Sequence, residues 1–331
     1  MWTFLKVGKL KASQLQALVL DKVGFRRDDV LVHAGLGEDC AVIDFGDEVC
    51  VLSTDPITGA FKGAGQLAVH VACNDIAASG ASPVGVQVLL LVPESHTASM
   101  IASIMEEITS EAKTLGIEVL GGHTEVTSRV LDPVISLTAV GRAPKTSFVT
   151  SSGAQPGDHL VLTKTAGIEG SLVLIQDFAA ELGFVTENDE RELRSMLSVI
   201  PEGLAAAKFG VNAMHDVTEA GIAGAAWEMS RASKVAMRIA ADAVPILPLT
   251  ERICRQLRLN PLKLLSSGAM LIAAARGDDL VTHLRQLDIS ASVIGTVQDG
   301  EAGVTFDNTD GTIETITDSI EDELWRFLRE H

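Results

Sequence analysis

Gly37-Glu38-Asp39-Cys40-Ala41-Val42-Ile43, then Val49-Cys50-Val51-Leu52-Ser53-Thr54-Asp55-Pro56, then Asn74-Asp75-Ile76-Ala77-Ala78: the reading of the fold turns on these three pieces of residues 35–82. In each, an acidic residue borders or interrupts an apolar run. Asp39 precedes a strand-like triad, Asp55 ends a β-rich run, and Asp75 sits inside an otherwise apolar helical segment. A carboxylate in such a place is costly to bury unless a cation or a donor compensates it. Three of them close together suggest a shared divalent ion, and hard oxygen ligands suit Mg²⁺ holding a nucleotide phosphate. A second reading has each acid capping a helix or turn, and spacing alone leaves both open.

Working outward, the pattern predicts a helix over 13–23, two strands over 39–53 around Gly46-Asp47-Glu48, and a helix over 64–79. Residues 84–92 form a nearly continuous apolar run, expected as a strand buried on both faces. A long amphipathic helix follows over 97–116. A short strand over 117–120 leads into a tight turn at Gly121-Gly122-His123-Thr124-Glu125, and another strand covers 133–140. The stretch 141–158 is rich in Gly, Pro, Ser and Thr and marks a domain boundary, giving domains over 1–150 and 151–331. Beyond it come strands at 159–164, 269–275 and 290–297, and helices at 170–178, 187–199, 219–230 and 321–329. The fold class expected is an α+β first domain followed by an α/β second domain.

Composition narrows the function. The chain has 331 residues, 47% hydrophobic and 21% charged, with no tyrosine and a net charge of −18. That charge repels polyphosphate backbones and anionic membranes, and scarce aromatics offer no base-stacking platform, so neither nucleic acid nor membrane is an expected partner. A small-molecule substrate is. A nucleotide would need a local device, either metal ions or backbone N–H groups. No signal peptide and no uninterrupted apolar run of spanning length is found, which places the chain in the cytoplasm. Cys40, Cys50, Cys73 and Cys254 form no zinc-like spacing, and the first three read as small buried hydrophobes.

Several motifs could carry chemistry. Gly121 and Gly122 allow close backbone approach to a ligand, and His123 and Glu125 could serve as acid, base or metal ligand. His215-Asp216-Val217-Thr218-Glu219-Ala220-Gly221 is expected to open a helix. There Asp216 and Glu219 resemble a capping box, at a helix end that also suits phosphate. The segment 59–65, with Lys62, lacks the features of a P-loop or a dinucleotide fingerprint but could cover a triphosphate. Lys6 and Lys9 offer ammonium groups for phosphate neutralisation. No GxSxG or HExxH is present, and Ser266-Ser267-Gly268 reads as a turn into a strand.

Taken in order, these motifs resemble the superfamily of aminoimidazole ribonucleotide (AIR) synthetase, thiamine-monophosphate kinase, selenophosphate synthetase and the hydrogenase maturation protein HypE. The carrying residues are Gly37–Ile43, Ser53-Thr54-Asp55, Asn74–Ala81, Gly121-Gly122-x-Thr124, Gly141-Arg142, Gly153-x-x-Pro156-Gly157-Asp158, His215–Glu219 and Ser267-Gly268. The resemblance implies a homodimer formed through first-domain strands, with ATP near the interface and Mg²⁺ on first-domain carboxylates. It implies metal ligands at Glu38 (where the family has its first Asp), Asp39, Asp55 and Asp75. It implies nucleotide contacts at Asp39, Thr54, Asp55, Asn74, Gly121, Gly122 and Thr124, and catalytic roles for His123, Asp216 and Lys9. The reaction implied is ATP-dependent phosphorylation of an oxygen on a carbonyl, amide or phosphate substrate. Lys6–Leu10, Gly167–Gly170 and Met214–Glu219 lean toward the hydrogenase maturation branch, and with it a maturation partner protein. That branch uses a C-terminal cysteine tail, whereas the last cysteine here is Cys254, and His123 stands where relatives carry an acid. Two further readings follow: a non-catalytic nucleotide-binding partner protein, and a kinase like the thiamine-phosphate branch.

Overall fold

A computed structural model describes residues 7–58 and 62–330. Lys6 and residues 59–61 of the glycine-rich segment lie outside the described residues. The first half runs α1 (Ala12–Leu18), β1 (Val30–Val32), β2 (Ala41–Asp44), β3 (Glu48–Thr58), α2 (Ala64–Ala78), β4 (Ser82–Val92), α3 (Ala98–Leu115), β5 (Glu118–Val126) and β6 (Val134–Pro144). The second runs β7 (His159–Thr163), α4 (Ile168–Leu182), α5 (Glu187–Ser195), α6 (Ile200–Phe209), β8 (Ala213–Val217), α7 (Gly221–Ser233) and β9 (Ala236–Ala240). It continues with α8 (Pro248–Leu257), β10 (Ala269–Ala274), α9 (Gly277–Arg285), β11 (Ala291–Gln298), β12 (Gly303–Asp307), β13 (Ile313–Ile316) and α10 (Glu323–Glu330).

The two halves each carry one sheet. The first has the order β1-β2-β3-β6-β4-β5, with only β4 and β5 parallel. The second has the order β13-β12-β9-β11-β7-β10-β8 and is mixed, with β12 parallel to β9 and its other pairs antiparallel. α2 is buried on nearly every side, because the first sheet covers one face and the second half covers another. Its approach to α6 is so close that a Cβ on Gly203 would lie 2.2 Å from the Ala77 carbonyl oxygen. An all-round apolar helix of this kind reads as an internal layer, and it delivers Asp75 to the middle of the molecule.

Several sequence expectations change. β4 is buried on one face only: Val86, Val88 and Leu90 face the core, while Val84, Gln87 and Leu89 are exposed. The run is apolar throughout because its outer face also carries Val84 and Leu89. The Gly-Gly segment is strand, not turn. Leu120 bulges out of the β4–β5 register, and Gly122, at φ +147°, runs so near β4 that a Cβ would sit 1.8 Å from the Val88 carbonyl oxygen. The expected helix over 187–199 breaks at Ser195, and α6 restarts with a proline in its first turn. His215 and Asp216 lie in β8, wholly buried, so no capping box forms there. Cys50 is half-buried on the outer face of β3, while the other cysteines are buried, and all four are unpaired.

Candidate active site

Four carboxylates from four elements meet where α2 crosses from the first sheet to β8. Asp39 stands just before β2, Asp55 lies on β3, Asp75 on α2 and Asp216 on β8. Strand alternation explains the aim of two of them. Ser53 and Asp55 share the face of β3 that looks toward α2, and Thr54 faces the other way. The Ser53 hydroxyl contacts Asp55 at 3.2 Å and makes a shorter contact with Asp75. One hydroxyl proton cannot serve two carboxylates, so a proton on Asp75 completes the arrangement. Burial pushes Asp75 well above the usual carboxylate range, and the neighbouring Asp216, Asp55 and Asp39 push it further. Asp216 is raised to about 7, first by burial and then by Asp39, against the opposing charge of His215.

His215 supplies the counter-charge. Its Nε2 lies 3.4 Å from Asp39 and 3.3 Å from Glu228 of α7, and its Nδ1 is 2.6 Å from the Asp216 carbonyl oxygen. Burial alone would lower its pKa; Asp39, Glu228 and Asp216 outweigh burial and lift it to about 10. Glu228 falls to about 2, because Lys9 and His215 overcome the effect of burial. The Lys9 ammonium lies 3.7 Å from Glu228 and is held above its ordinary range chiefly by that carboxylate. Ligand atoms of Asp39, His215 and Asp216 lie within 4.8 Å of one another, and both Asp216 carboxylate oxygens are buried without a hydrogen-bond partner. Unsatisfied buried oxygens at a convergence of acids are the signature expected of a cation site. An imidazolium cannot coordinate a metal, so carboxylate oxygens, Asp39 and Asp216 with Asp55 and Asp75 beside them, would be the donors, and hard oxygen donors fit Mg²⁺.

The structure thus brings together Asp39, Asp55, Asp75, Asp216 and Lys9. Glu38 is adjacent but turned toward the 151–153 turn, where Oε2 accepts the Ser151 N–H at 3.4 Å and burial raises its pKa. Asn74 is committed elsewhere: its amide donates to the Leu197 carbonyl at 2.8 Å and its oxygen accepts the Val199 N–H at 2.9 Å, clamping the α5–α6 link. That use takes one of its two amide N–H donors and its carbonyl oxygen, and holds the side chain fully buried. Thr54 is on the outer face, 2.9 Å from Thr138. Gly121, Gly122, His123 and Thr124 sit on exposed edge strand β5, three strands from β3, roughly 14 Å by strand spacing. His123 there is 3.5 Å from Glu125. Within one chain these residues do not reach the cluster.

Sequence reasoning missed Ser53 and Glu228. Glu228 had a signal, as the single acid in Gly221–Ser233, an otherwise small and apolar helix.

The N-terminal domain profile of AIR synthase related protein matches residues 37–143, and the C-terminal domain profile matches 155–308. A hydrogenase expression/formation protein of Methanocaldococcus jannaschii is 26% identical, over 90% of this chain and 91% of its own length. The carbamoyl dehydratase HypE of Cupriavidus necator is 31% identical, over 67% of this chain and 63% of its own. Among solved structures, AaThiL complexed with AMPPCP and TMP superposes with a TM-score of 0.74 at 20% identity, covering 93% of this chain and 96% of that one. The two profiles together take in most of the sequence, and the chain belongs to the AIR synthase related family.

Proposed function

We propose that this chain is an enzyme that uses ATP and Mg²⁺ to transfer the γ-phosphoryl group to an oxygen of a small carbonyl, amide or phosphate substrate. The observation that carries the reading is the convergence of exposed Asp39 and half-buried Asp55 on buried Asp75 and Asp216, with unpartnered oxygens on Asp216. Mg²⁺ held there would offset phosphate charge and help align the transferred group. Of the chain's own residues, Asp39, Asp55 and Asp216 would hold that ion. Asp75 gives up its proton when the site fills. Lys9, at the Glu228 side, offers an ammonium to a phosphate oxygen. Relatives that carry the names carbamoyl dehydratase and hydrogenase expression/formation protein support the amide branch and a maturation partner protein. Replacing Asp55 by Asn is expected to abolish ATP consumption while leaving the fold intact. Undiminished turnover in that variant would refute the assignment.

The working unit we propose is a homodimer. The outer face of the first sheet has no helix over it and exposes Val84 (42%), Leu89 (39%) and Leu120 (44%). A second copy of this face would cover it, and would bring β5 of one subunit toward the other. No helix among the described residues is long and apolar enough to cross a membrane, and four unpaired cysteines fit the cytoplasm.

A further inference from the structure

The loop entering β10 is seated against two other elements with little room to spare. Ser266 Oγ accepts the Gly167 N–H at 2.7 Å and donates to the Leu264 carbonyl at 2.6 Å. The Gly170 N–H donates to the Leu265 carbonyl at 2.7 Å, and the Ser266 N–H to the Thr218 carbonyl at 3.2 Å. A Cβ on Gly170 would lie 2.4 Å from Leu264 Cγ, and one on Gly268, at φ +108°, would lie 2.6 Å from the Met196 carbonyl oxygen. These contacts lock the first turn of α4, the end of β8 and residues 264–268 into one rigid unit. The unit holds Glu169 beside Ser267, and the Ser266 N–H bond to Thr218 ties it to the segment that runs from Asp216 to Glu219.

Glu169 is 5% exposed and Ser267 1% exposed, and neither Glu169 Oε2 nor Ser267 Oγ has a well-aligned hydrogen-bond partner, the Ser267 hydroxyl and N–H acting on the carboxylate only weakly. Leaving one such group unsatisfied in the interior costs about 1–3 kcal/mol, more when it is charged. Two open groups side by side, held by an otherwise fully bonded frame, are a feature that packing alone does not explain. The first turn of a helix tolerates a carboxylate, which accounts for its presence there but not for its open oxygen. We propose that Glu169 takes a proton from the substrate as that substrate is phosphorylated, with the Ser267 hydroxyl holding the same substrate group. This rests on the ATP-using reading above.

The step balances without any further reactant. The substrate oxygen gives an electron pair to the γ-phosphorus, and the bond from that phosphorus to the β,γ-bridging oxygen breaks. Its pair leaves with ADP. The proton of the attacking hydroxyl, or of the nitrogen conjugated with an attacking amide oxygen, passes to Glu169. Burial raises Glu169 to about 7, Glu219 and Asp216 add to the shift, and the Ser267 hydroxyl and N–H oppose it. Asp322, beside α10, also feels Glu169. A base poised near neutrality suits proton transfer at physiological pH.

The test compares wild type with Glu169→Gln and Ser267→Ala, using Mg²⁺-ATP with water alone, urea, acetamide or thiamine monophosphate as acceptor. Binding of a non-hydrolysable ATP analogue and the melting temperature are followed in parallel. With the acceptor that wild type uses fastest, Glu169→Gln should lose on the order of 10²–10⁴ in kcat. It should keep analogue binding within about twofold, and should lose the acidic limb of the kcat–pH profile near pH 7. Ser267→Ala should raise KM more than it lowers kcat. Turnover of Glu169→Gln within threefold of wild type, an unchanged acidic limb, or wild type binding the analogue but consuming ATP with no acceptor would each overturn the proposal. Wild type failing to bind the analogue would instead bring down the ATP-using reading itself.

Discussion

His215 Nε2 lies 3.3 Å from the Glu228 carboxylate, so one buried imidazolium joins β8 to α7 at the edge of the acidic cluster. With Lys9 on the other side of Glu228, the arrangement is a charge chain that runs from the N-terminal segment to Asp39. Removing its middle member leaves Nε2 of the buried His215 with Asp39 alone. Because Lys9 is half exposed and His215 keeps Asp39, Glu228→Ala is expected to cost about 1–3 kcal/mol in urea unfolding. A loss below 0.5 kcal/mol would show that the chain contributes nothing to the fold.

Asn74 and the Leu197–Val199 link form the second testable relationship. Asn74→Ala leaves a buried carbonyl and a buried N–H without partners, which predicts a loss of about 2–4 kcal/mol. Below the melting temperature of the variant, affinity for an ATP analogue should stay within a few-fold of wild type. A selective collapse of nucleotide affinity with stability unchanged would return Asn74 to the nucleotide site.

An acid outside the Asp39–Asp216 cluster sets a pH dependence of known sign. Burial raises Asp322 to about 7, although it accepts the Leu324 and Ala220 N–H groups. A raised carboxyl pKa means that the folded state keeps a proton that the unfolded state has lost. Between about pH 4 and pH 7 stability therefore falls as pH rises, by up to about 1.4 kcal/mol per pH unit from this group. The stability of wild type minus that of Asp322→Asn, from denaturant titrations across this window, should decline with pH. A flat difference would contradict the burial argument.

The outer face of the first sheet predicts an assembly phenotype. Leu89→Asp places a charge in the centre of the exposed apolar face and should convert a dimer to a monomer in light scattering, with little change in melting temperature. A wild-type monomer at micromolar concentration would remove the homodimer from the account.

Much of this was legible in the chain, for physical reasons that differ by residue. Asp39, Asp55 and Asp75 stood out because an acid in an apolar run has few cheap explanations. Asp216 stood out as well, but its element was misread: Asp216 and Glu219 have capping-box spacing, while Ala213–Val217 is in fact a wholly buried strand. The apolar run in β4 hid its exposed face, since Val84 and Leu89 there are as apolar as the core residues between them. Gly121-Gly122 suggested a turn because glycine marks both turns and bulges. Glu228 could not be placed by spacing, since Lys9 and His215 come from distant segments, and Ser53 gains its role only when packing brings Asp75 to it.

Asp39, Asp55, Asp75 and Asp216 make up the proposed Mg²⁺-dependent nucleotide site. Calorimetric titration with a non-hydrolysable ATP analogue, with and without Mg²⁺, tests it most directly, using wild type and Asp216→Asn. The account predicts binding in the micromolar range with Mg²⁺, weakened by about 100-fold or more in Asp216→Asn or without the ion. Equal binding in the presence and absence of Mg²⁺, or no binding at all by the folded wild type, would contradict it.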